Sequence, residues 1–253
     1  MDYISTLEFP KEEQSSNNEL NKLFKAWVTY ANNKKLPENY HADDLVFEGF
    51  YPYYQSQPKK ILFIGRESLG ISGCNYIDTL YQCYKTHYIG DIHINQHITH
   101  RRLLKIAYGL INGCKNYESI PDADVIAKDF GTDNGISFAF MNISKFSNEF
   151  DDFKSDWNLI NNFIDLFCDN KFSAKQIETV NPDLIISMNL ENKIDTIGSN
   201  DFVDCSSSVA YRKLTINQKT YNLLDTYHFA AIGKYDHSDF YDPIVSMCKK
   251  HNL

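Results

Sequence analysis

No CxxC pair and no histidine at zinc-finger spacing accompanies the six cysteines, Cys74, Cys83, Cys114, Cys168, Cys205 and Cys248, which are scattered along the chain. A structural zinc site is therefore not expected, and reduced, mostly buried thiols are. The eight histidines form no HExxH pattern, so no metal is expected, and no cofactor either. No serine sits in a GxSxG elbow. No apolar run approaches the ~20 residues that span a bilayer, so no membrane partner is expected. The first residues, with Asp2, Glu8, Lys11, Glu12 and Glu13, lack the basic start and apolar middle of a secretory signal, which points to a cytoplasmic protein. Basic residues are also short: 25 Lys and Arg against 33 Asp and Glu leave a net charge of −8. That balance excludes indiscriminate, phosphate-driven binding of nucleic acid but permits a local basic groove.

What is present is a chain of 253 residues rich in aromatics, with 17 Tyr and 17 Phe. This length fits one large domain over residues 1–253, with residues 1–58 forming a helix and loop packed on it, and a monomer is expected. The organising stretch is Ile61-Leu62-Phe63-Ile64-Gly65-Arg66-Glu67-Ser68-Leu69-Gly70, a short apolar run of the kind a doubly buried strand shows, entering a glycine-bounded turn that carries an acid. Ligands of open α/β sheets bind at the carboxyl ends of strands, so Glu67 stands where chemistry is expected.

Leu20, Leu23, Phe24, Trp27, Val28 and Ala31 recur at helical spacing and predict a helix over residues 17–35, stopped by Pro37. Residues 40–58 read as loop with at most a short strand at Leu45-Val46-Phe47. Tyr51, Tyr53 and Tyr54 in it either offer a stacking surface for bases or pack on their own domain. His97, His100, Arg101, Arg102 and Lys105 form the densest positive cluster, at the start of a helix carried by Leu103, Leu104, Ala107, Leu110 and Ile111. It reads either as a phosphate contact or as a solvated helix face. Further strands are expected from Ser137, ending at Asn142, and from Leu184. A hairpin with Asn217-Gln218 at its turn runs on through Tyr221 into His228, while residues 193–208 read as a surface excursion. Helices are expected around Trp157–Phe167, over residues 173–180 and over residues 240–250. Strands alternating with helices predict a three-layer α/β/α fold with a central, mostly parallel, four-stranded sheet.

Three strand ends thus carry polar groups: Glu67, Asn142 and His228. A carboxylate that orients water or steadies positive charge, an amide that reads a ring edge, and an imidazole that supports a developing anion suit cleavage of an N-glycosidic bond, and many other hydrolyses as well. In this order the segments resemble the motifs of the uracil-DNA glycosylase superfamily. Gly65-Arg66-Glu67-Ser68-Leu69 is similar to its GxDPY or GxNPG motif, and Phe140-Met141-Asn142-Ile143-Ser144-Lys145 to its strand ending in Asn. Asn181-Pro182-Asp183-Leu184-Ile185-Ile186-Ser187-Met188 is similar to its RPxxIxxxG strand, and Leu223 to Ala230, through His228, to its HPS motif.

The resemblance implies a uracil-DNA glycosylase-like fold and a DNA glycosylase-like hydrolase acting on a uracil-type or other modified base, with DNA or a nucleotide-like ligand as partner. It implies catalytic roles for Glu67 and His228, base contacts for Asn142, Leu69 and Tyr76, and phosphate or DNA contacts for Arg66, Ser68, Arg101, Arg102 and Lys234. The loop after His228, with Ile232, Lys234 and Tyr235, falls where the family inserts a wedge into the duplex. The sequence departs from the pattern at Glu67, one methylene longer than Asp, at Ser68 in place of Pro, at Leu69 in place of Tyr, and at Phe229-Ala230 in place of Pro-Ser. The cysteine spacing does not match that of members holding an iron–sulfur cluster. Two further readings are a protein of the same fold that binds without hydrolysis, and an unrelated hydrolase using Ser68 or Ser144.

Overall fold

Apolar runs and helical periodicity assemble into a sheet with a core on each face. The computed structural model describes residues 3–149 and 154–253, apart from the side chain of Cys168. The elements are α1 (Gln14–Ala31), β1 (Ile61–Gly65), α2 (Tyr76–Thr86), the small hairpin β2 (Tyr88–Ile89) and β3 (Ile92–His93), α3 (Ile98–Ile111), α4 (Ala123–Asp129), β4 (Ala139–Asn142), α5 (Trp157–Phe167), α6 (Phe172–Val180), β5 (Leu184–Met188), β6 (Ser199–Cys205), β7 (Val209–Ile216), β8 (Lys219–Thr226) and α7 (Asp242–His251).

The sheet has six strands in the order β4-β1-β5-β8-β7-β6. The first four are parallel to one another, and β7 and β6 extend the sheet antiparallel. The strands beginning near Ile61, Ser137, Leu184 and Tyr221 thus share one sheet, but four strands is too few. The stretch read as a surface excursion contributes β6 at the edge. Its residues are mostly exposed, so it carries none of the apolar signal that marks a buried strand. Helix α1 ends at Ala31, short of Pro37, and the segment Leu45-Val46-Phe47 forms only an isolated bridge, Phe47 to Asn75.

All five residues of β1 and of β5 are buried, as strands covered on both faces require. Ile61 and Phe63 face a core shared with α2, α3, α4 and α7, while Leu62 and Ile64 face one shared with α1, α5 and α6. The chain leaves β1 toward β4 on one side, and leaves β5 toward β8 on the other. The crevice between the carboxyl ends of β1 and β5 is therefore the topological switch point of the parallel sheet. Tyr51 and Tyr54 are fully buried, Tyr51 packing edge-on against Phe130 and Phe138, so they act as core rather than as a stacking surface. Of the five cysteines with described side chains, all free, Cys248 is buried, Cys74, Cys83 and Cys114 are half-buried and Cys205 is exposed, so the expectation of mostly buried thiols does not hold.

Candidate functional site

The register of the parallel strands brings the predicted segments to one edge. Gly65 ends β1 opposite Asn142, which ends β4, and Thr226 ends β8 opposite Met188 of β5, two residues before His228. Arg66 reaches across the switch point, its Nε donating to the carbonyl of Asn189 at 3.1 Å. Its Nη1 donates to Ser155 Oγ at 3.1 Å, and its guanidinium lies 4.6 Å from the ring centre of Trp157.

Glu67 is half-buried beside the start of α5. Its Oε1 accepts the backbone N–H of Asp156 at 2.8 Å, and Asp156 in turn caps α5 by accepting from the amides of Asn158 and Leu159. The second oxygen, Oε2, is shielded from solvent and forms no hydrogen bond among the described residues. Burial raises the carboxyl above its ordinary value, opposed by the Asp156 amide, the charge of Arg66 and the neighbouring Ser155 hydroxyl. The result is a carboxylate fixed by one oxygen and unsatisfied at the other, which suits a group that holds a water or steadies a cation.

His228 is lowered to about 4, first by burial and then by the nearby charge of Arg66. Its Nδ1 accepts the backbone N–H of Ala230 at 3.2 Å, so the neutral ring carries its proton on Nε2 and presents a donor. Asn142 is buried, and its Nδ2 donates to Glu48 Oε1 at 3.1 Å. Tyr76 stacks on Phe140 with ring centres 5.2 Å apart. Burial is the first cause raising its hydroxyl, and the carboxyl of Glu48 the second. Leu69 is 41% exposed at the rim, whereas Ser68 is buried with Oγ aimed at the Ile71 carbonyl.

The proposed backbone contacts fare differently. Arg102 is only 3% exposed, and its guanidinium is engaged by Asp236 Oδ1 at 2.7 Å and by the carbonyls of Phe229, Ala231 and Lys234, at 2.6, 3.0 and 2.7 Å. A phosphate contact by Arg102 is thus corrected to a clamp on the loop that follows His228, because a buried cation must be surrounded by acceptors. Arg101 shares Asp236 at 2.6 Å and donates to the Asn95 carbonyl. Lys234 lies over the ring of Tyr227 at 4.3 Å. On this clamped loop Ile232 is 90% and Tyr235 76% exposed. His100 is buried with Nδ1 2.9 Å from Tyr84 Oη, and so takes no part in a surface cluster.

Sequence reasoning missed Glu48. It is fully buried, its Oε2 bonded to the Nζ of Lys145, which is also fully buried and donates to the Asn142 carbonyl at 2.9 Å. The signal was available: each is a lone charge within an apolar run, Leu45 to Tyr51 and Phe138 to Phe146, and the two signs are opposite. Ser144 is buried, and neither its hydroxyl nor that of Ser68 bonds a histidine among the described residues, which removes the support for a serine hydrolase.

Two cavities lie elsewhere, one of about 20 Å³ between Phe163, Phe167 and Phe172 and one of about 200 Å³ beside Tyr117, His237 and Lys249; neither is lined by Glu67, Asn142 or His228. Among the described residues no helix is long and apolar enough to cross a membrane, and no group of three or more His, Cys, Asp or Glu could hold a metal ion. A scan against protein-family models, a search of curated proteins and a search of solved structures each return no match to this chain.

Proposed function

We propose that this chain is a DNA glycosylase-like hydrolase that cleaves the N-glycosidic bond of a uracil-type or other modified base, as its resemblance to the uracil-DNA glycosylase superfamily implies. The observation that carries the reading is Glu67: a half-buried carboxylate at the switch point, pinned through Oε1 to the amide of Asp156 and unsatisfied at Oε2. In the proposed reaction that oxygen orients water beneath the anomeric carbon and steadies the positive charge the sugar develops. Neutral His228 donates Nε2–H to the leaving base as it becomes an anion, and Asn142 meets the edge of the base. The exposed Ile232, on a loop held by Arg102, suits insertion into the stack that the base vacates.

A second reading, a binding protein of the same fold without hydrolysis, is favoured by one observation. Glu67 is held at the length of Glu rather than Asp, and a reach altered by one methylene exceeds the roughly 0.5 Å tolerance of a preorganised site. Incubation with oligonucleotides carrying uracil, hypoxanthine, xanthine or methylated bases, scored for abasic sites, separates the two. Cleavage of one or more, lost in Glu67→Gln, supports the hydrolase. Failure on every base refutes it and leaves the binding reading.

A further inference from the structure

Arg66 is tethered to a strained turn. After β5 the chain passes through Asn189 and Glu191, both at a φ of 53°, with Leu190 between them at a φ of −86° and a ψ of 0°. Residues other than glycine keep the left-handed conformation only where their surroundings over-determine it. Leu190 is buried and its carbonyl accepts the amide of Lys193 at 3.0 Å, which fixes the far side of the turn. The near side carries the carbonyl of Asn189, the acceptor of Arg66 Nε.

Asp225 holds that near side. It lies in register with Ser187 of β5, and its Oδ1 accepts the Ser187 hydroxyl at 2.6 Å. Ser187 is fully buried, so the carboxylate is drawn over the end of β5, where the amides of Leu190 and Asn189 face it. Burial raises the Asp225 carboxyl, opposed by the Ser187 hydroxyl, the charge of Arg212 on β7 and those two amides. Burial lowers Arg66, and the charges set against that are, in order, Glu67, Glu191 and Asp225.

We infer that Asp225 is a positioning residue: by holding the turn at residues 189–191 it fixes the Arg66 guanidinium beside Glu67 and His228. The inference rests on the proposed roles of those two groups, which need Glu67 ionised and His228 neutral. A cation at that place favours both states, since it stabilises the carboxylate and disfavours the imidazolium. The charge of Asp225 by itself works in the opposite sense, disfavouring the carboxylate and favouring the imidazolium. Loss of the tether and loss of the charge therefore differ in sign.

The test is an NMR titration of the histidine rings in wild type, Asp225→Leu, Arg66→Met and the double variant. Leucine keeps the shape of the aspartate but accepts nothing, so the turn relaxes and Arg66 moves off. His228, lowered to about 4 first by burial and then by Arg66, is then expected to titrate at least ~0.5 pH unit higher. Arg66→Met should give a rise at least as large, and Asp225→Leu should add nothing further to it in the double variant. A His228 value unchanged or lowered in folded Asp225→Leu overturns the inference, because loss of the charge alone gives that result; so does a second, equal rise in the double variant. If Asp225→Leu does not fold, wild type decides: the Arg66 Nε–H and the amides of Asn189 and Leu190 should shift together with the Asp225 carboxyl carbon, and an Arg66 signal indifferent to that midpoint overturns the positioning role. None of these readouts needs a substrate, so failure of the oligonucleotide panel refutes hydrolysis and leaves them standing. Where the panel shows cleavage, the acid limb of kcat/KM should move up in Asp225→Leu as Glu67 loses its cation, and a limb that stays or falls overturns the inference.

Discussion

Replacing Lys145 with methionine keeps an unbranched stem, one atom shorter, and removes the charge and the donors. In the native protein Nζ contacts Glu48 Oε2, donates to the Asn142 carbonyl and lies 5.5 Å from the ring centre of Trp27, all without solvent. Methionine fills that space acceptably against Trp27 but leaves a fully buried carboxylate with one remaining partner, Asn142. Breaking a buried pair from one side costs about 3 to 5 kcal/mol. For a domain of this size, with about 2 to 4 °C per kcal/mol, thermal unfolding at pH 7 should fall by roughly 6 to 20 °C. Burial already raises Glu48 above the ordinary carboxyl range, with Lys145 the main opposing influence, so in Lys145→Met the carboxyl rises further and becomes neutral. A carboxyl raised in the folded state contributes stability that is present below its unfolded value of about 4.3 and lost as pH rises toward its folded value. The deficit of Lys145→Met relative to Glu48→Gln/Lys145→Met should therefore be largest near pH 7 and nearly absent near pH 4. Urea unfolding of wild type, single and double variants at both pH values measures it. A single variant within 1 kcal/mol of wild type at pH 7, or a deficit independent of pH, would refute the buried ion pair.

Further expected outcomes concern the reaction, the acid limb of stability, the loop and the core. Under the proposed mechanism Glu67→Gln should leave binding nearly unchanged and slow cleavage at least ~100-fold, while His228→Ala slows it roughly 100-fold to 1,000-fold; an activity indifferent to Glu67→Gln would mean that water is positioned elsewhere. The acid limb of kcat/KM should lie above the ordinary carboxyl value because burial raises Glu67, and His228 should add no limb above its value of about 4. His100 is lowered to about 3 by burial, so its contribution is whole above about pH 6.5 and is lost as pH falls; unfolding free energy should drop about 2 kcal/mol by pH 5, and His100→Gln should flatten that slope. Arg102→Met should free the carbonyls of Phe229, Ala231 and Lys234 and raise amide exchange across residues 229–235 before the sheet is affected; unchanged exchange would show that the loop is held otherwise. Gly109→Ala gains about 1 kcal/mol of helix propensity, yet its Cβ would stand 2.0 Å from the Oη of buried Tyr241, so net destabilisation of about 1 to 2 kcal/mol is expected in calorimetry.

What the sequence displayed depends on how each element meets solvent. Strands β1 and β5 are buried on both faces, so their unbroken apolar runs announce them, and the hairpin of β7 and β8 is announced by its alternation and by Asn217 at the turn, which adopts a φ of 53°. Edge strand β6 shows neither sign, because a strand with exposed residues on both faces has no apolar period to read. The same distinction governs the side chains. The placement of Glu67, Asn142 and His228 at or just beyond the ends of β1, β4 and β8 was legible because strand ends of a parallel sheet gather at one edge whatever the residues between them. Arg102 was misread because charge in sequence says nothing about depth: an arginine one residue from the solvated face of α3 is turned inward and surrounded by loop carbonyls. Glu48 and Lys145 lie 97 residues apart, and only their pairing makes either burial affordable. A lone charge within an apolar run therefore predicts an unseen partner of opposite sign, and here each of the two is that partner for the other.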